Sequence, residues 1–156
     1  MIRSLSLALL LSMPAQAERL DDSLSPQQQF DIELDWKHRQ HGDDLDEREF
    51  NSLMAHARRV EVRLNTAPWT GMQARIYIRL PLNIRGTADS TALSMSWTTN
   101  GVFASGSVTA GNRSRLFEGE ITRDVRSDIF DFTFELDARQ VYTTLRLEPV
   151  YEIETY

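Results

Sequence analysis

The chain has no cysteine among its 156 residues. That excludes disulfide staples, thiol nucleophiles and the acceptor thiol of a lipoprotein signal, so packing and hydrogen bonds alone must hold the fold. Lysine is nearly missing too: Lys37 is the single one and every other base is arginine, a bias that genomic composition explains. Past the N-terminus no apolar run approaches the roughly 20 residues of a membrane-spanning helix. Neither G-x-S-x-G nor S-x-x-K occurs, and His38, His41 and His56 all lie in the N-terminal portion, which removes the usual signatures of serine hydrolysis. P-loop and G-x-G-x-x-G patterns are missing as well, and with them the glycine-rich cradles that hold nucleotide phosphates.

Charge is abundant but uneven. Residues 18–49 carry eleven acids against four bases, whereas residues 50–156 carry twelve of each. A chain with net charge −6 and no basic patch lacks the means to displace counterions from a phosphate backbone, so nucleic acid is excluded as a partner.

The N-terminus begins with Arg3, continues through an apolar run from Ser4 to Met13 and reaches Ala15-Gln16-Ala17. Charge, apolar stretch and small-residue A-x-A site in that order predict a signal peptide over residues 1–17, cleaved after Ala17. At about ten residues the apolar run is too short to anchor the chain in a bilayer. The expectation is an exported protein of the periplasm or cell surface with no membrane anchor in its mature form.

Residues 18–29, rich in Asp, Ser and Gln, predict a flexible acidic leader. Apolar residues then take alternate places at Phe30, Ile32, Leu34 and Trp36, the pattern of a strand with one buried face. Beyond the charged stretch 37–49, Phe50, Leu53, Met54 and Ala57 fit helical spacing, and Asp44 with Glu47 forms a capping-box pattern; together they predict one short helix near 45–57.

Everything after that alternates. Residues 58–65 and 73–82 read as strands, as do Arg115–Ile121, Ile129–Asp137 and a last run from Val141 to Glu154 that Pro149 interrupts. Asn100-Gly101, between Ala92–Thr99 and Val102–Thr109, predicts a two-residue type I′ hairpin, because both residues tolerate positive φ. In that register Leu93, Met95, Trp97, Val102, Ala104 and Val108 share one face, Gly106 leaves room beside the larger side chains, and Phe103 alone falls among serines and threonines. Mainly β structure follows: a single antiparallel immunoglobulin-like β-sandwich of about 8–9 strands over residues 30–156.

Several residue groups could carry chemistry. His38, His41, Asp43 and Asp44 combine imidazole and carboxylate, ordinary ligands for a divalent ion. Their spacing matches neither a zincin helix nor an EF-hand, and a solvated charged loop accounts for them, so neither metal nor cofactor is expected. Glu118 and Glu120 alternate on one strand face beside Arg115 and Arg123; they read as an acid pair or as cross-strand ion-pair partners, the latter favoured. Phe103 among hydroxyls, and Trp69 in the loop before Gly71, are candidates for stacking on a sugar ring or packing on a protein.

Phe30, Ile32, Leu34 and Trp36 have two readings. They form the domain's own first strand, the simpler case, or a detachable strand that adds to a neighbouring sheet. In outline, a detachable strand behind a leader resembles the exported β-sandwich subunits of chaperone-assembled pili. The resemblance is one of architecture, with no matched motif, and the missing cysteine and the expected helix depart from it. Two functions are expected on these grounds. The first is a non-enzymatic envelope protein that acts through protein contacts, self-association or strand exchange, as a fimbria-type subunit or an assembly accessory factor. The second is a binding domain for a carbohydrate or other small ligand, and an enzyme using an acid pair stands behind both.

Overall fold

A computed structural model describes residues 16–26, 30–31, 35–36, 52–91 and 93–156. Residues 1–15 of the expected signal peptide, the candidate ligands His38, His41, Asp43 and Asp44, and Ile32, Leu34 and Phe50 lie outside the described residues.

The described residues form strands β1 (Glu18–Arg19), β2 (Phe30–Asp31), β3 (Asp35–Trp36), β4 (Ser52–Asn65), β5 (Gln73–Arg79), β6 (Arg85–Thr87), β7 (Ser94–Thr99), β8 (Gly106–Thr109), β9 (Arg113–Glu120), β10 (Val125–Asp137), β11 (Val141–Leu147) and β12 (Val150–Thr155). They pair antiparallel in three sheets, in the orders β1-β12-β5-β9, β3-β4-β10-β7-β8 and β2-β11-β6. The fold is therefore mainly β and sandwich-like, with a single hydrophobic cluster drawing on all three sheets. Pro149 marks the break between β11 and β12, which enter different sheets; lacking an N–H, proline suits such a strand end.

At the centre lies β10. Phe130, Phe132, Phe134 and Leu136 are all buried, and the three phenylalanine rings stack in series at centroid distances of 5.2 and 6.1 Å. This alternation is the one expected of a strand with one face in the core.

The helix expected near 45–57 is not formed over its described part, where residues 52–57 belong to β4. Beyond that part the strand carries a bulge. Arg58 and Arg59 together face Asp131, between the pairs Phe132–Ala57 and Phe130–Val60. Arg59 adopts φ 56°, and its N–H donates to the Asp131 carboxylate at 2.7 Å. The extra residue flips the phase of the strand: Leu53 and Ala55 point inward before it, Val60, Val62 and Leu64 after it. Of the residues that fit helical spacing, Leu53 and Ala57 precede the bulge and pair with Leu136 and Phe132 of β10, sharing one face of a strand.

The tight Asn100-Gly101 turn is also corrected. Met95 lies opposite Val108 and Trp97 opposite Gly106, two residues away from the expected register, which leaves Asn100–Ser105 as a six-residue loop. Neither Asn100 nor Gly101 has positive φ. Tertiary packing decides the matter. In a two-residue turn Phe103 would face solvent; the wider loop turns it into the core, 4% exposed and 5.8 Å from the Phe130 ring, while Val102 moves out to 50% exposure. Polar groups then tie the loop down: the Phe103 N–H donates to Asp128, the Thr99 hydroxyl to the Phe103 carbonyl and the Trp97 indole to the Ala104 carbonyl. Because the register moves by an even number, Met95, Trp97 and Val108 keep their inward face. Gly106 does leave room beside a large side chain, since the Trp97 ring stands 3.1 Å from where a Cβ would lie.

Candidate functional site

The N-terminal segment holds an unusual position. β1 is the outermost strand of the four-stranded sheet, β2 of the three-stranded sheet and β3 of the five-stranded sheet. Within 19 residues one stretch of chain thus covers one edge of all three. Among the described residues each cover pairs through two: Glu18 and Arg19 face Ile153 and Glu152, Phe30 and Asp31 face Leu147 and Arg146, and Asp35 and Trp36 face Met54 and Leu53.

A few anchors hold the segment. Leu20 is 1% exposed, and its N–H donates to the Tyr151 carbonyl at 2.9 Å. The Asp21 carbonyl accepts from the Asn65 N–H at 2.9 Å. Ser25 exchanges hydrogen bonds with the backbone of Arg63, its hydroxyl donating to the carbonyl and accepting from the N–H. Phe30, 3% exposed, packs 5.4 Å from Phe132 and 5.9 Å from Phe134. Within the stretch expected to be a leader, one buried leucine and backbone pairing with β12 and Asn65 hold residues 18–21 against the sheet.

Docking carries an electrostatic cost. Burial raises the pKa of Asp22 above the ordinary carboxylate value, against a smaller lowering by Arg19. Burial also pushes the Tyr151 hydroxyl well above the usual tyrosine range, with the Asp22 charge adding to it.

The other sequence candidates are dispersed. Phe103 lies in the core, so it offers no ring face to a ligand. Trp69 closes a 3₁₀ turn over Ala67–Trp69 and is half-buried against the core. Phe30 is likewise core; the side chain of Trp36 lies outside the described residues. Glu118 is held between Arg75, at 2.9 Å, and Arg115, while Glu120 stands opposite Gln73. The two carboxylates belong to an outer face on which arginine and glutamate alternate across β5, β9 and β12, with the Arg113 guanidinium 4.2 Å over the Tyr77 ring. Hydrogen bonding to Glu154 raises the Arg113 pKa despite some desolvation. Such a charge-matched face is what cross-strand ion pairing produces. No group of His, Asp and Glu among the described residues is placed to hold a metal ion.

Sequence reasoning missed Leu20 and Ser25. A lone leucine in a polar stretch has no periodicity to reveal it, and a serine's backbone partners become visible only in the fold. Comparison with protein-family models, curated proteins and solved structures found no match.

Proposed function

We propose that this is an exported, non-enzymatic envelope protein that acts through protein contacts, and that residues 18–36 are its exchangeable element. The observation that carries the reading is the placement of this one segment at the edge of all three sheets, by two paired residues in each. Edge strands present unpaired backbone groups that another chain can satisfy. A short cover with few anchors is the cover most readily replaced, and its replacement by the same segment of a second copy is strand exchange. The signal-like N-terminus fits a fimbria-type subunit or an assembly accessory factor working in the periplasm or at the cell surface. For a carbohydrate-binding role through Phe103 the burial of that ring leaves no support.

Light scattering coupled to size-exclusion chromatography tests the proposal. The protein is expected to form concentration-dependent oligomers, and a synthetic peptide spanning residues 18–36 is expected to bind and shift them toward monomer. A strict monomer at every concentration that also fails to bind the peptide overturns it.

A further inference from the structure

Cross-strand charge is arranged by sign where the N-terminal segment meets two of the sheets. Arg19 of β1 stands opposite Glu152 of β12, and Asp31 of β2 stands opposite Arg146 of β11. The two places differ in how much depends on the segment. Glu152 already meets the guanidinium of Arg79 at 3.2 Å and that of Arg113 at 3.4 Å, so its charge is matched from within its own sheet. Arg146 is placed differently. On its other side it faces Arg85 of β6, and like charges directly opposite each other repel. The row Asp31, Arg146, Arg85 thus runs acid, base, base across the three-stranded sheet, and its acid comes from the segment.

Register fixes where that acid falls. Phe30 is buried opposite buried Leu147. Successive positions of a strand alternate between faces, so position 31 lies on the outward row with the exposed Arg146 and Arg85. A strand entering one residue out of register would send Phe30 outward and Asp31 inward. Glu148 lines the cleft beside both arginines, but it follows the last residue of β11 and stands opposite neither. We propose that Asp31 is the charge key of strand exchange: the β11 edge accepts the segment of a second copy of this chain because that segment brings an acid to the place opposite Arg146, and it discriminates against a strand with a neutral or basic residue there. This selection presupposes the exchange reading and names what chooses the partner. Electrostatic complementarity gives selectivity more than raw affinity, and a segment with six acids and one base over residues 18–36 suits an edge that presents two arginines.

Peptides spanning residues 18–36, unaltered, Asp31→Asn and Asp31→Arg, are titrated into the intact protein and into its Arg146→Asp and Glu148→Gln variants, with binding read from the fluorescence anisotropy of the labelled peptide. Circular dichroism checks that each protein is folded. On the unaltered protein Asp31→Asn is expected to weaken binding about threefold and Asp31→Arg about tenfold. On Arg146→Asp the order reverses and the Asp31→Arg peptide binds tightest, while Glu148→Gln keeps the original order. In the full chain, Asp31→Arg is expected to lower the urea midpoint, and to leave it unchanged in the Arg146→Asp background, a readout that needs no peptide. No binding of the unaltered peptide removes the exchange reading and the key with it. Equal affinity for all three peptides, an Arg146→Asp protein that keeps the original order, or an equal loss of midpoint in both backgrounds overturns the key alone.

Discussion

β4 and β10 pair along almost their whole lengths, from Ser52 with Asp137 to Asn65 with Val125, broken only by the bulge at Arg59. The described residues between 18 and 36 also belong to the sheets, and two of them pair with each one. The first region combines a continuous ladder with the stacked rings of Phe130, Phe132 and Phe134. The second depends on separate anchors, chiefly Leu20, Ser25 and Phe30. Local stability follows the density of buried apolar contact and protected hydrogen bonds. A β-rich protein can therefore be cooperative in its core while keeping one edge segment in a shallower minimum, and that inequality is what strand exchange needs.

The largest expected effect comes from striking the core ladder. Phe132 is 1% exposed and touches the rings of Phe30, Phe130 and Phe134, so Phe132→Ala should cost about 3–5 kcal/mol of unfolding free energy, measured by urea titration. A loss below about 1 kcal/mol would mean that the spine is not where stability resides. Next comes Leu20→Ala, which should cost about 2 kcal/mol in docking of the segment and leave the spine intact. In native-state hydrogen exchange the Leu20 and Asn65 amides should then exchange about 30-fold faster, with the β10 amides unchanged. Equal acceleration in both regions would erase the distinction between them. The smallest effect is a gain. A non-glycine residue in the left-handed region costs about 1–2 kcal/mol, and glycine in a strand gives back about 0.5–1 kcal/mol of that in entropy. Arg59→Gly should thus raise stability by about 0.5 kcal/mol in the same titration; a clear loss would show that the Arg59 side chain contributes more than its backbone strain removes.

How much could be read beforehand differs sharply along the chain. The buried face of β10 was legible in full, because strict alternation of phenylalanines admits one reading. So was the inward set of Met95, Trp97 and Val108, which survives an even shift of register. The helix near 45–57 misled because Leu53 and Ala57, four residues apart, share a face in a strand as they do in a helix, and only pairing with β10 decides between the two. Asn100-Gly101 misled because the local preference for a tight turn competes with the burial of a phenylalanine three residues from Asn100, a gain of about 2 kcal/mol or more that a dipeptide preference does not outweigh. For the candidate site the alternating segment at Phe30 was visible, but Leu20 and Ser25 were not, since both act through partners distant in sequence.

By itself, then, the sequence determined the β period, the inward faces of the regular strands, the lack of covalent staples and the acidic bias of the N-terminal stretch. These are properties of neighbouring residues, and side-chain alternation needs no partner to be read. Only the tertiary structure decided where β4 changes phase, how wide the loop around Phe103 must be, that Arg85 and Arg146 face each other, and that one segment covers an edge of all three sheets. Each of these depends on which strand lies alongside which, and that choice is settled by packing between residues far apart in the chain.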